Sequence, residues 1–357
     1  MSTERPLVSV VMPCYNAAPF VAEAMESVLA QSYAPVELVV VDDASTDGSG
    51  QVVRALAECH PDRVRAVRLD RNRGGCHARN RGVEVARGEL LMFLDADDRI
   101  APDTIAALVE ALRGHLDGIA ACDWRHLQRV DGEWRETPSS LPLPEPGADL
   151  FRVWLDGSAW APTCSVLWRR EVYERTGGWD EELTREQDDD LMLRAYARGA
   201  RLVIARGGLG LYRLHEELAL SVTRGVAEDK LRSSVRLLEK LAAELERRGR
   251  MGELGARVGN VYHQLALRGF QQGHRELARE CLRRGEALAG RRVLSPKPVG
   301  RALERLLGLE RKERLVQVLA RYGVATRDRR HTHRVRRVLT GLEPVAPGST
   351  AEAAPPT

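Results

Sequence analysis

The chain reads as an α/β protein: a mostly parallel sheet flanked by helices, followed by an all-helical appendage. Three observations point there. Charge-free apolar runs of strand length alternate with helical-period segments from Val8 to Leu94, two of those runs end abruptly in carboxylates, and strand signals vanish from about Gly225 onward. Such alternation marks a parallel sheet covered by helices on both faces. A run that is apolar at every residue reads as a strand buried on both sides.

The elements follow in order. Residues 8–11 form a first strand, broken at Met12-Pro13, and residues 20–29 set Phe20, Val21, Ala24, Met25, Val28 and Leu29 at helical spacing. Residues 38–41 form a second strand that ends in Asp42-Asp43, and the turn and helix-start residues 44–49 lead to a helix marked by Val52, Val53 and Leu56. A strand at 64–69, a helix at 78–86 and a fourth strand at 90–94 complete the alternation. A helix at 102–112 and a strand near 119–122 precede a hairpin, 124–130 and 133–136, about an Asp131-Gly132 turn. A proline-rich loop, 137–146, leads to a strand at 165–168, a helix at 191–197 and a short strand at 202–204. Helices at 231–245, 258–270, 275–288 and 299–319 follow, and the segment 262–288 is similar to one helix–turn–helix unit of a tetratricopeptide-like array. Residues 344–357, rich in Pro, Ala and small polar residues, read as a disordered tail.

Composition narrows the class. With 357 residues the chain can bury a full core and divide into one large and one smaller domain. Hydrophobic residues at 43% and charged residues at 29% exclude wholesale disorder. Six cysteines without a Cys-x-x-Cys pair argue against structural zinc or a disulfide framework and fit a reducing compartment. The polar start carries no apolar signal core and no run approaches a membrane span, so a soluble or peripheral protein is expected. The net charge of +3 is uneven: residues 291–342 hold fifteen Lys or Arg against four Asp or Glu, about +11, which leaves about −8 elsewhere. A basic segment of that kind suits an anionic surface, lipid headgroups or nucleic acid, or is a well-solvated helical face.

Chemistry concentrates where strands end. Asp95-Ala96-Asp97-Asp98 closes the fourth strand, at the edge where open α/β sheets place ligands. Asp95 and Asp97, two apart around a small residue, can reach one hard divalent cation and leave room for phosphate oxygens; alone, the pair also reads as a solvated loop. Asp98 reads as the cap of the following turn. A third acid group, Asp188-Asp189-Asp190, opens the helix at 191–197, where it also suits the helix N-terminus electrostatically. The first strand is followed by Pro13-Cys14-Tyr15-Asn16, not Gly-x-Gly-x-x-Gly, so no glycine loop cradles a pyrophosphate there. The same residues lack the glycine- and basic-rich loop of a nucleotidyltransferase.

In this order and spacing, six segments resemble the family 2 glycosyltransferases of the GT-A fold. They are 8–16 (VSVVMPCYN), 41–48 (VDDASTDG), 78–82 (ARNRG), 93–98 (FLDADD), 177–181 (GGWDE) and 187–191 (QDDDL), within a match running from about Leu7 to Thr223. The resemblance implies a GT-A domain over residues 1–224 and leaves a helical region over 225–343, basic from about 291. It implies an inverting transfer of sugar from a nucleoside-diphosphate sugar, UDP-sugar by family default, to an acceptor hydroxyl, with Mg²⁺ or Mn²⁺. Pro13, Tyr15 and Asp43 map to the nucleotide site, Tyr15 as a stacking face or else a core aromatic. Asp95 and Asp97 map to the metal site, Asp97 as the direct ligand, and His215 to a late histidine that adds a ligand or contacts the diphosphate, or else is structural.

Asp188 maps to the catalytic base that takes the acceptor proton. Gln187 stands where the family commonly has Glu, which removes a negative neighbour and favours an ionised base. Arg79, with Gly74 and Gly75, lies where the chain passes the nucleotide, or forms a helix-surface salt bridge. Residues 160–165 and Trp179 sit near the donor and acceptor pockets, Trp179 also reading as core, and the variable region 124–163 selects the acceptor. The expected partners are a nucleotide-sugar donor and a saccharide or lipid-linked acceptor in cell-surface polysaccharide or glycolipid synthesis. Nucleic acid is not expected. The missing span and the basic region imply a cytoplasmic protein peripheral at the inner face of the membrane. The rival reading is an inactive transferase-like scaffold acting through its basic helices.

Overall fold

The computed structural model describes residues 5–215, 228–292 and 298–321. The four apolar runs form β1 (Val8–Cys14), β2 (Val36–Asp42), β3 (Val64–Arg68) and β4 (Leu90–Phe93), parallel in the order β3-β2-β1-β4. Helices α1 (Val21–Leu29), α2 (Ser49–Cys59) and α3 (Gly75–Val85) make the crossovers. β1 does not break at Met12-Pro13 as the sequence predicts. Pro13 pairs with Val41 of β2, whereas the ladder to β4 has already ended at Val11 and Phe93. The Val8 amide points to the β2 side, donating to the Pro35 carbonyl at 3.2 Å, so alternation aims residue 13 at the β4 side. Proline thus lacks its N–H only where no neighbouring strand remains.

The second half widens the sheet. β5 (Arg99–Ile100), α4 (Thr104–Ala111), β6 (Gly118–Val130), β7 (Glu133–Pro138), α5 (Leu150–Asp156), β8 (Val166–Arg169), α6 (Arg170–Thr176), α7 (Gln187–Ala197) and β9 (Arg201–Leu214) follow in the chain. The order continues β4-β8-β6-β9-β5, with β7 on β6. The described sheet is mixed: the ladders β1·β2, β1·β4, β2·β3 and β6·β9 are parallel, and β4·β8, β5·β9, β6·β7 and β6·β8 are antiparallel. The predicted strands at 119–122 and 124–130 are one strand; its register with β9 shifts between Ala121 and Asp123, where two steps along β6 match five along β9 from Ile204 to Leu209, so the extra residues bulge from β9 and β6 runs on. The short strand at 202–204 extends to Leu214, its signal hidden by Gly207 and Gly208, both at positive φ.

Beyond residue 227 the described chain is helical: α8 (Glu228–Arg247), α9 (Met251–Gln272), α10 (Arg275–Ala289), α11 (Pro298–Leu307) and α12 (Leu309–Arg321). The single helix predicted at 299–319 divides at Gly308, which adopts φ +77°. The predicted tail, 344–357, lies outside the described residues. Leu150, Phe151 and Leu155 of α5 and Leu193 of α7 share one apolar cluster with Leu238, Leu241, Val258 and Leu265 of α8 and α9. The helical region therefore packs on helices α5 and α7, in a cluster separate from those of the sheet. Among the described residues, no helix is long and apolar enough to cross a membrane.

Two packing details are testable. Gly82 on α3 lies so close to the sheet that a Cβ would stand 2.3 Å from Val11 Cγ1 and 3.3 Å from Val41 Cγ2. Gly82→Ala is expected to cost about 1–3 kcal/mol through overpacking, read as a lower urea midpoint at constant slope. An unchanged midpoint would mean that β1 and β2 yield freely.

His263 of α9 is fully buried, and neither ring nitrogen is hydrogen-bonded among the described residues. Burial, reinforced by Arg292, pulls its imidazole below the ordinary 6.5. Below that pH the folded state binds fewer protons than the unfolded chain, so its stability contribution is intact above 6.5 and is lost as pH falls toward the folded value. His263→Leu is expected to raise stability by about 1–3 kcal/mol, the cost of unpaired buried polar groups, with the larger gain on the acid side. His126, also pulled down by burial, keeps a residual slope in the variant. Denaturant titrations of both proteins at neutral and mildly acid pH measure the difference, and identical pH slopes would refute the assignment.

Candidate active site

The carboxyl ends of β1, β2 and β4 bring the segments 8–16, 41–48 and 93–98 to one sheet edge. The loops after β1 and β2 are knitted together. Asn16, at φ +51°, receives the Thr46 amide on Oδ1 at 2.9 Å and donates its own to Ser45 Oγ at 3.1 Å. The amides of Ala17 and Ala18 donate to Ser49 Oγ at 2.8 Å and Asp47 Oδ2 at 2.9 Å. Pro13 pairs with Val41 in the ladder just before this frame, and Tyr15 is half exposed, so the ring is not a core aromatic. Asp43 is buried, and its two oxygens accept the Arg73 and Gly74 amides, each at 2.8 Å. In this structure it anchors the loop that enters α3, although each oxygen retains a second acceptor site.

The acid turn after β4 distributes its three carboxylates to three partners. Asp95 forms an ion pair with Arg79, a buried guanidinium that also donates to Gln187 Oε1 at 3.0 Å and lies 4.6 Å over the Trp179 ring. Arg79 is therefore a buried bridge, not a surface salt bridge. Burial and the charge of Asp97 push the Asp95 carboxyl up, while Arg79 pulls against them. Asp97 Oδ2 sits 2.7 Å from His215 Nε2.

Asp98 reaches across to β9 in place of the expected turn cap: its buried Oδ1 accepts the Arg213 amide at 2.7 Å, and its Oδ2 has no partner among the described residues. Burial, then Asp97 and Asp95, hold its carboxyl well above the usual range. The Arg213 guanidinium donates to the Asp97 carbonyl at 2.5 Å and to Glu23 at 2.6 Å, and lies 4.4 Å over Trp134.

Asn80, next to Arg79, explains two further motifs. Its Oδ1 accepts the Trp179 amide and the Tyr173 hydroxyl, each at 2.9 Å, and its Nδ2 donates to the Trp179 carbonyl at 3.0 Å. The side-chain amide thus pairs with Trp179 as a strand neighbour would. Trp179 is core, packed edge-on against Phe93 at 5.0 Å.

Helix α7 starts at Gln187, not at 191, so Asp188 lies in its first turn. Its Oδ2 accepts from Trp160 Nε1 at 2.9 Å. Trp160 belongs to an aromatic group with Trp124 at 5.0 Å and Tyr212 at 5.3 Å. An open pocket beside Asp188 is walled by Trp154, Trp160, Ala161 and Met192. Asp190, almost fully buried, is structural: it pairs with Arg194 at 2.8 Å and Lys240 at 2.5 Å. The sequence analysis missed Trp124 and Trp134, which read only as strand residues, Tyr212, which lay beyond the predicted strand, and Arg213, whose hydrogen-bond partners are more than a hundred residues away. The sole signal was an aromatic density in the region expected to select the acceptor.

Among the described residues, no three His, Cys, Asp or Glu side chains form a metal cage. Asp97 and His215 still fit a two-donor site. Oxygen and imidazole nitrogen are acceptable to Mn²⁺, and diphosphate and water oxygens would complete the shell. Asp95 is drawn instead to Arg79.

Residues 9–177 match the model described as Glycosyl transferase family 2. The chain is 33% identical over 213 residues to an uncharacterised glycosyltransferase of Nostoc sp., alr2836, covering 58% of this chain and 65% of that relative. It thus spans just under two thirds of that relative's length. It is 31% identical over 236 residues to the glycosyltransferase GlyG of Streptococcus pneumoniae, covering 62% of this chain and 77% of that protein. The fold is shared with S. aureus TarS 1–349, determined with UDP-GlcNAc (TM-score 0.58, 21% identity, 90% and 93% of the two chains). It is shared too with the Pyrobaculum calidifontis mannosyltransferase PcManGT, determined with GDP-Man and Mn²⁺ (TM-score 0.54, 22% identity, 95% and 86%). Motifs, GT-A architecture and relatives agree: the chain belongs to the family 2 glycosyltransferases.

Proposed function

We propose that the chain is an inverting glycosyltransferase that moves a sugar from a nucleoside-diphosphate sugar to an acceptor hydroxyl. The observation that carries this is the Arg79 bridge, which draws the Asp95 turn and the Gln187-Asp188 pair into one crevice beside Asp97 and His215. Tyr15 stacks on the nucleotide base, and the frame of Asn16, Ser45 and Asp47 holds the ribose end. A divalent cation held by Asp97 and His215, when bound, neutralises charge on the departing diphosphate. Asp188 removes the acceptor proton as the acceptor oxygen bonds to the anomeric carbon and the bond to the diphosphate breaks on the opposite face. Trp160 holds that carboxylate in place and, with Trp154 and Met192, offers an apolar wall for the acceptor. The relative with GDP-Man and Mn²⁺ and the one with UDP-GlcNAc support a nucleotide-sugar donor in general; a UDP-sugar is our first candidate.

Binding and hydrolysis across a panel of UDP-, GDP- and dTDP-sugars with Mn²⁺ or Mg²⁺ test this. Asp97→Ala is expected to abolish metal-dependent donor binding. Asp188→Asn is expected to bind donor normally and to lose about 10²–10⁴ in kcat, the range for removing a general base. Failure of every donor to bind with either metal would favour the scaffold reading instead.

The basic helices suit docking to an anionic membrane that presents a lipid-linked acceptor. Leu306, 81% exposed, Leu307 and Val318 share the surface of α11 and α12 with exposed Arg305, Arg311 and Arg314. Apolar residues among arginines are the pattern of interfacial binding. Co-sedimentation with phosphatidylglycerol vesicles but not with phosphatidylcholine vesicles is expected, weakened several-fold by Leu306→Glu. Equal partition to both would remove this part of the proposal.

A further inference from the structure

We propose that the C-terminal helical region is a working part of the active site: α8 positions the Asp188 loop through Ser233, Ser234 and Lys240. This rests on the reading of Asp188 as the base. The loop between α6 and α7 needs outside support, because it turns into α7 through Glu186 at φ +56°, a backbone conformation unfavourable for a residue with a long side chain.

Ser233 supplies that support at the residues just before the turn. Its buried Oγ accepts the Thr184 amide at 3.2 Å and the Arg185 amide at 3.1 Å, and donates to the Arg185 carbonyl at 3.0 Å. One donor and two acceptor sites are all that a hydroxyl has. Ser234, equally buried, donates to Glu186 Oε1 at 3.0 Å, so consecutive serines grip three consecutive residues of the loop.

Lys240, seven residues after Ser233 and therefore on the same helix face, spans the loop. Its Nζ lies 2.8 Å from Asp180 Oδ2, in the first half of the loop, and 2.5 Å from Asp190 Oδ1, in the first turn of α7. Asp188 lies between these anchors, with Arg79 fixing Gln187 from the donor side at 3.0 Å. Leu231, Leu238, Leu241 and Leu245 already supply the apolar packing of α8. Two serines and a lysine add nothing to that packing, and each is costly to bury without partners. Their polar atoms instead go to the base-bearing loop.

A carboxylate base displaced by about 1 Å can lose on the order of 10²-fold in rate. In the full chain, Lys240→Met and Ser233→Ala are expected to lower kcat for donor hydrolysis by about 10- to 100-fold. The Kd for UDP with Mn²⁺ should stay within about twofold, since neither residue touches the donor edge. Lys240→Arg, which can still span two carboxylates, should recover most of the rate.

Lys240→Met is the safer probe because the side chain is one third exposed and the variant should fold. Unchanged kcat in Lys240→Met and Ser233→Ala, or kcat and UDP affinity falling together, would overturn the proposal. Asp188→Asn, measured alongside, separates the two levels. If it turns over normally, the base assignment fails and this inference with it. If it is dead while the α8 variants are fully active, only the positioning role fails.

Discussion

The structure depends first on how one turn of chain holds three carboxylates at the mouth of an apolar sheet. Asp95, Asp97 and Asp98 lie within four residues, directly after a strand with no exposed side chain. Buried or half-buried carboxylates are tolerable only with partners. Each has its own: the Arg79 guanidinium, the His215 imidazole and the Arg213 amide. Those partners come from α3 and from the end of β9, so the site exists only when both are seated.

Seating α3 explains residues that have no chemistry of their own. Gly82 lets the helix approach β1 closely enough for Arg79 to reach Asp95, and Asn80 pairs with Trp179, over whose ring the same arginine lies. Seating β9 likewise requires a long strand that accommodates glycines at 207 and 208, with β5 as its antiparallel partner through Arg99 and Leu211. The register puts Arg213 and His215 just beyond the acid turn. Motif residues that look separate along the chain are thus consequences of one electrostatic demand.

Most of the first half of the sheet unit was legible in the sequence because its signals are local. Unbroken Val and Leu runs mark strands covered on both faces, and carboxylates at their ends mark the edge where such sheets place ligands. The second half was not, for identifiable reasons. Strand β9 is interrupted by a bulge and by glycines that satisfy positive φ, α5 and α6 are seven residues each, and exposed Asp123 imitates a strand end within β6. Asp98 looked like a cap because its partner, Arg213, is 115 residues away. The role of α8 was invisible for the same reason: Ser233, Ser234 and Lys240 carry no local pattern, and their meaning lies in a loop about fifty residues earlier.

Gln187 is where the two halves meet, and its amide explains the departure from the family's usual glutamate. Its Oε1 accepts from Arg79 at 3.0 Å while its Nε2 donates to the Leu183 carbonyl at 2.7 Å. A carboxylate could do the first but not the second, since it has no hydrogen to donate. It would also set a second anion against Asp95 for the single Arg79 charge. The amide therefore ties the helix that carries Asp188 to the acid turn and closes the preceding loop at once, leaving Arg79 paired with Asp95. Charge at the acid turn and geometry at the start of α7 are set by the same side chain. That coupling is why the loop needs its second support from α8: the hydrogen bonds of Gln187 fix one side of the turn, and those of Ser233 and Ser234 fix the other.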